Sequence, residues 1–175
     1  MLADRLRMGK ALDLTLIAGT VGTAAGSMTG GNGLTGAFSN GGTYAQSPTT
    51  SGFGSVGKIW ASPKYLGKAT MQALGPSPSW WAACSQGSTH AIQIQGSNNT
   101  TNGVDGTWTA LWTSPTFSNH DAAYATVTAD ISNPELNAEV YYIAHRFYIY
   151  TVGWDGISTG CLVHGIIHLD FYEWA

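Results

Sequence analysis

The sequence predicts an all-β protein, an antiparallel jelly-roll β-sandwich preceded by a short amino-terminal arm. Three observations predict it. From residue 58 onward, short apolar or alternating runs recur, with Ala91-Ile92-Gln93-Ile94-Gln95 the cleanest example. Turn signals such as Asp105-Gly106, Asn133-Pro134 and Trp154-Asp155-Gly156 separate them. No long helical period follows residue 18, and no internal repeat appears.

Residues 1–18 form the predicted arm. Leu2, Leu6, Leu12 and Leu16 recur at roughly helical spacing, with Arg5, Arg7 and Lys10 among them. Gly9 interrupts the pattern. A secretory leader is not expected, because Asp13 falls inside the would-be apolar stretch and no clear cleavage site follows. The domain proper is predicted over 19–175. Its first part, 19–57, is rich in Gly, Thr, Ser and Asn, with six Gly between Gly30 and Gly42. Leu34, Ala37, Phe38, Tyr44 and Phe53 punctuate it, so irregular loops wrapping a core are expected. Predicted strands follow: 58–61, 69–74, 91–95, 107–113, 124–129, the long aromatic stretch 140–152, and a closing segment 161–174. In 91–95, Ile92 and Ile94 face one side and Gln93 and Gln95 the other. Trp60, Trp108, Trp112 and Trp174 fall in strand patterns and are expected in the core or on a sheet face.

Composition bounds the function. The chain has 175 residues, which suits one domain of the usual ~150 residues plus a short appendage. Hydrophobic residues make up 43% and charged residues 10%. That supports a real core and excludes the charge-rich, apolar-poor signature of disorder. The net charge is −3, and no Lys or Arg lies between Lys68 and Arg146. A phosphate-backbone binder needs a basic face, so nucleic acid is not an expected partner. No apolar run reaches the ~18 residues of a membrane helix, so no membrane role is expected. Cys84 and Cys161 make neither a disulfide framework nor a zinc site, and their pairing stays open.

Catalytic constellations are not visible. His164 and His168 would share one face of a helix, but Leu162, Val163, Ile166, Ile167 and Leu169 mark a strand. Four strand residues span roughly 13 Å, too far for one ion. Asp105, Asp121, Asp130, Asp155, Asp170 and Glu173 are candidate carboxylates for glycoside hydrolysis, yet most sit at turns. There is no nucleophile elbow and no phosphate-cradling loop leading to a helix. The protein is therefore not expected to be an enzyme, and no cofactor or metal is expected.

Aromatic loops are more informative. Gly75-Pro76-Ser77-Pro78-Ser79-Trp80-Trp81 places two Trp side by side ahead of a strand. Neighbours on an extended chain point to opposite sides, so one ring can anchor the loop while the other faces out. An outward indole offers a flat apolar face with a polar edge, which suits the C–H face and hydroxyl rim of a sugar. Both rings serving as core or subunit contacts is the other account of the same pattern. Trp154-Asp155-Gly156 is a second candidate loop, its carboxylate an acceptor for sugar hydroxyls or simply a turn residue. The predicted ligand-binding residues are Trp80, Trp81, Trp154 and Asp155.

Five segments in order resemble a discoidin-like domain, the coagulation-factor type C or galactose-binding-like family. They are Val56-Gly57-Lys58-Ile59-Trp60, Ala91 to Asn98 with its Gly-Ser-Asn end, the Trp-x-x-Leu of Gly106 to Leu111, Ala144-His145-Arg146-Phe147-Tyr148-Ile149, and Ile167 to Tyr172. The resemblance spans about residues 20–175. It implies an eight-stranded jelly roll with ligand loops at one end, and binding rather than catalysis. Many members hold calcium through an Asp after an Ala-Phe pair and a Glu in the last strand. Here Ser39 follows Ala37-Phe38, and His168 stands at the Glu position. The terminal Cys pair of many secreted members is also absent.

The resemblance extends to domains of phage and phage-like particles. The leading expectation is a non-enzymatic virion or phage-like particle surface protein, a component of a head spike, head fibre or tail fibre. It would bind host cell-surface polysaccharide, galactoside-like in character. Its arm would join other virion proteins, and copies would form a homo-oligomer assembled in the host cytoplasm. The alternative is a structural adaptor or decoration protein of the particle without glycan binding.

Overall fold

The computed structural model describes residues 13–39, 43–46, 53–73, 89–118, 126–132, 139–153 and 165–174. Twelve strands and one 3₁₀ turn, Leu34–Phe38, make up the described structure. The strands are β1 Leu14–Ile17, β2 Thr23–Gly26, β3 Gly30–Gly31, β4 Ala45–Gln46, β5 Phe53–Lys64 and β6 Leu66–Ala73. They continue with β7 Thr89–Ser97, β8 Thr109–Thr113, β9 Phe117–Ser118, β10 Thr126–Asp130, β11 Tyr142–Gly153 and β12 Gly165–Trp174.

Two six-stranded antiparallel sheets result. The first runs β10-β6-β12-β4-β3, with β1 also on β12. The second runs β2-β5-β11-β7-β8, with β9 also on β7. This is the all-β sandwich expected from the alternating runs. The inner faces meet in one core. Val56, Trp60, Ile92, Ile94, Phe147 and Ile149 come from the second sheet, and Leu66, Met71, Ile166, Leu169 and Phe171 from the first. Trp60 meets Phe171 edge-on across the sheets, ring centroids 5.8 Å apart. Burying one such large apolar side chain contributes ~2 kcal/mol, and the alternation of Ile92 and Ile94 is what delivers two from a single short strand.

Several elements differ from expectation. β5 begins five residues earlier than predicted, because Gly54, Ser55 and Gly57 carry no apolar signal. Gly57 is required there: a Cβ would lie 2.1 Å from the His145 carbonyl oxygen and 2.6 Å from the Arg146 Cα. Residues 19–57 are not only irregular loop, since β2, β3, β4 and the start of β5 lie within them. These strands pair through backbone and small side chains, which leave no period-2 pattern. Within the stretch predicted as an arm, Leu14–Ile17 form β1, with Leu14 opposite Trp174 and Ile17 opposite Phe171. Trp108 precedes β8 rather than lying within it. Cys84, Cys161 and His164 lie outside the described residues.

Candidate functional site

The strand register defines the two ends of the sandwich. At one end β6 stops at Ala73, and β12 starts beside it, with Ile166 opposite Ala73. At that same end of the second sheet, Gly153 closes β11 opposite Thr89, the first residue of β7. Segment 74–88 therefore connects β6 to β7, and segment 154–164 connects β11 to β12. Both connect one sheet to the other, and their anchors are ladder neighbours: Gly153 stands opposite Thr89, and Ile166, one residue past the other anchor, stands opposite Ala73. Segments 47–52 and 119–125 leave the same end, since Phe53 pairs with Tyr150, and Thr126 with Gln72. We call this the crossover end.

The predicted ligand residues belong to these connections: Trp80 and Trp81 to 74–88, Trp154 and Asp155 to 154–164. All four lie outside the described residues. Chain connectivity brings the anchors of their two segments together, although the segments are far apart in sequence.

Among the described residues, the opposite end is built from 18–22, 65, 98–108, 131–132 and 139–141. Its main feature is a loop that consumes its own polar groups. Asp105 accepts from the Thr100 and Thr101 hydroxyls at 2.7 and 2.6 Å, and from the Thr101 backbone N–H at 2.8 Å. These bonds hold its carboxyl well below the usual carboxylate range. Asn102 turns back to accept from the N–H groups of Val104 and Asp105. Gly103 and Gly106 take φ of 81° and 83°, a conformation open to Gly at little cost. The sequence marked Asp105-Gly106 only as a turn.

A buried cation pins this loop to the second sheet. Arg146 is 8% exposed. Its Nε donates to Gln95 Oε1 at 2.7 Å and its Nη1 to the Gly103 carbonyl at 2.9 Å. The guanidinium lies 3.9 Å from the Trp108 ring centroid and 4.9 Å from that of Tyr148. Burial lowers its pKa to about 10, so it stays charged at neutral pH. Trp108 in turn donates its indole N–H to the Asp105 carbonyl. Trp108 is thus a structural clamp rather than a free platform.

The positions that resemble a calcium site carry other chemistry. The Ser39 and Thr43 hydroxyls bond each other, and both lie within hydrogen-bond reach of the Gly36 carbonyl, to which one of them donates. His168 Nε2 pairs with Asp170 Oδ2 at 2.8 Å on the same strand. Among the described residues no group of three or more His, Cys, Asp and Glu is placed to hold a metal. No described helix is long and apolar enough to cross a membrane.

Neither a protein-family model nor a curated protein sequence matches the chain. Solved structures do. A chitosan-binding module from a Paenibacillus sp. IK-5 chitosanase/glucanase is 15% identical with a TM-score of 0.56, over 90% of this chain and 99% of that one. The CBM32 module of AlyQ, solved with 4,5-unsaturated mannuronic acid, is 11% identical with a TM-score of 0.55, over 90% and 97%. A truncated AlyQ with CBM32 and alginate lyase domains gives a TM-score of 0.58 at 10% identity, and there this chain spans about a third of the partner's length. In its two antiparallel sheets and in these likenesses, the chain has the discoidin-like jelly-roll fold of CBM32 carbohydrate-binding modules.

Proposed function

We propose that the protein is a non-enzymatic glycan-binding module whose sugar site lies at the crossover end. One observation carries the proposal: the segments bearing Trp80, Trp81, Trp154 and Asp155 are anchored side by side at that end. An indole supplies the apolar platform for a pyranose, and the Asp155 carboxylate accepts from ring hydroxyls. The chitosan-binding module and the mannuronic acid complex among the structural neighbours support carbohydrate as the ligand class.

In its finer form, the module is displayed on a virion or phage-like particle and engages a galactoside-like host polysaccharide. Position supports this. β1 begins opposite Trp174, so residues 1–12 join the domain at the end away from the crossover segments. An attachment arm and a ligand site at opposite ends leave the site facing outward. A single site would be weak, and a homo-oligomer would add avidity through effective concentration. The adaptor alternative draws support from exposed Val21, Val104 and Val140 at the arm end.

The test is binding of the multivalent, folded protein to polysaccharide from its host, to galactosides and to a glycan panel, with Trp80→Ala, Trp81→Ala, Trp154→Ala and Asp155→Ala beside wild type. Loss of one stacking ring should weaken binding roughly tenfold or more, since ~1.4 kcal/mol is tenfold. A folded, multimeric wild type that binds no glycan would leave the adaptor reading standing.

A further inference from the structure

Two chains of contacts start at Arg146 and run along the outer face of the second sheet toward the crossover end. The first is a ladder of planar groups. Arg146, Tyr148 and Tyr150 alternate along β11, so they share the face opposite to core residues Phe147 and Ile149. The guanidinium lies over both the Trp108 and Tyr148 rings. The Tyr148 ring then stacks on that of Tyr150, centroids 5.5 Å apart and planes 19° from parallel. The ladder ends there. Among the described residues Tyr148 is the only ring or cation against Tyr150, and the Tyr150 hydroxyl has no hydrogen-bond partner. Two positions further on, Val152 is 52% exposed.

The second chain is a relay of amides. Arg146 Nε donates to Gln95 Oε1, and Gln95 Nε2 donates to Gln93 Oε1 at 2.6 Å. The guanidinium thereby fixes the orientation of both amides. Gln93 is left presenting its Nε2 donors, which have no partner among the described residues. Gln93 stands opposite Tyr148, and Ala91, opposite Tyr150, adds only a methyl group. Between Arg146 and Val152 this face carries no further charged side chain among the described residues. Arg146 itself is 8% exposed and covered on both faces, so it has little to give an anion. An aromatic face beside an oriented amide donor, without a charge next to either, suits a neutral polyhydroxyl ring. Its C–H face packs on the arene and a hydroxyl oxygen accepts from the amide.

We infer that Tyr150 and Gln93, on the outer face of the second sheet, form a further sugar subsite, so that the module grips successive units of a neutral glycan chain rather than one terminal residue. The inference rests on the crossover end being the sugar site. Tyr150 stands three residues before Gly153, where segment 154–164 begins, which is roughly 10 Å along the strand. A chain seated at the crossover end continues over that distance onto the sheet face.

The test is calorimetry on the full chain with galactan, chitin and glucan oligosaccharides of two, four and six units. Wild type should bind a six-unit chain more tightly than the matching disaccharide. Tyr150→Ala and Gln93→Leu should each cut that gain about three- to tenfold, the usual worth of one aromatic or polar contact, whereas Tyr150→Phe keeps the ring face and most of the gain. A measurement on wild type guards against misfolded variants. In NMR of ¹³C-labelled tyrosine, with Tyr150→Phe to assign the ring, the Tyr150 signals should move on adding the six-unit chain while those of Tyr172 on the other sheet stay fixed. Binding that leaves the Tyr150 signals in place, and whose length dependence survives Tyr150→Ala, would overturn the inference and leave the crossover-end site standing. Binding abolished by Tyr150→Ala yet indifferent to Trp80→Ala, Trp81→Ala and Trp154→Ala would uphold the sheet face and overturn the loop site. No binding of any series by folded wild type would overturn both.

Discussion

Replacing His145 by Gln should remove the share of the protein's acid sensitivity that comes from one buried imidazole. His145 is fully buried on β11, among the rings of Trp60, Tyr142 and Phe171. Its Nδ1 accepts the Trp60 indole N–H at 2.8 Å, which places the remaining proton on Nε2. Among the described residues Nε2 has no hydrogen-bond partner. Its cross-strand neighbour Lys58 brings a cation to the inner face, its ammonium donating to the Gly19 carbonyl. Desolvation pushes the folded-state pKa of His145 down from 6.5 to about 3.

The unfolded chain thus takes up this proton near pH 6.5, and the folded protein does not until about pH 3. Stability is full above pH 6.5 and falls as the pH drops through that window. At pH 5 the loss is about 2 kcal/mol, since one pH unit is worth ~1.4 kcal/mol. For a domain of this size that corresponds to a fall in Tm of about 4–8 °C. In His145→Gln the amide oxygen can still accept the Trp60 proton, so folding should survive at a cost of ~1–2 kcal/mol at pH 7.5. Urea unfolding at pH 7.5, 6.5 and 5.0 gives the difference between the two proteins at each pH. The rest of the chain is the same in both proteins and cancels. The difference should move by about 2 kcal/mol in favour of the variant between pH 7.5 and pH 5, enough to cancel or reverse its deficit. Parallel profiles would refute the assignment of a neutral, buried His145.

Other perturbations have defined outcomes. Arg146→Met keeps the apolar stem but leaves Gln95 and the Gly103 carbonyl without their donor, and should cost ~2–3 kcal/mol by chemical denaturation with faster amide exchange across 98–106. Gly57→Ala drives a Cβ into the β11 backbone, and should cost ~3 kcal/mol or abolish soluble expression, whereas an Ala at the open Gly33 position meets no atom and suffers only its backbone strain. Asp105→Ala should lower Tm and release the Thr100, Thr101 and Asn102 amides to exchange. That carboxylate's contribution is present above the unfolded carboxylate pKa near 4, and is lost as the pH falls further. A chelator should leave the thermal midpoint within about one degree, because the Ser39–Thr43 pair and the His168–Asp170 pair are internally bonded; a large drop would point to a bound cation.

Legibility in the sequence followed side-chain size. β7 was visible because Ile92 and Ile94 alternate with Gln93 and Gln95, and the sheet buries the two Ile almost completely. β11 was visible through its aromatic run. β2, β3 and β4 were not, since Thr-Ala-Ala-Gly, Gly-Gly and Ala-Gln pair through their backbones. β1 was hidden for another reason: Leu16 continued a near-helical spacing of Leu from residue 2, while the actual constraint is the ladder to β12, more than 150 residues away. The Arg146 clamp could not be foreseen either. Its partner Gln95 is 51 residues distant, and Gly103 is 43. A lone Arg in an aromatic strand carries no signal of where its donors go.

The same register separates two loop systems that look alike in sequence. Segment 98–108 is rich in Asn, Thr and Asp and ends in a Trp, so its composition suits a sugar as well as that of 74–88. Its polar groups, however, are already committed. Asp105 is saturated by Thr and backbone donors, Asn98 holds Tyr141 and Ile143, and Trp108 is covered by a guanidinium and tied at its N–H. A sugar docking there would have to break protein hydrogen bonds to make its own, with no net gain in bonding. The connections at the crossover end are long, 15 residues for 74–88 and 11 for 154–164, and each ties one sheet to the other. Long crossovers are where a jelly roll can vary its surface without disturbing its ladders. Committed polar groups at one end and long connections at the other therefore arise from the same pairing of β11 with β7 and β12 with β6.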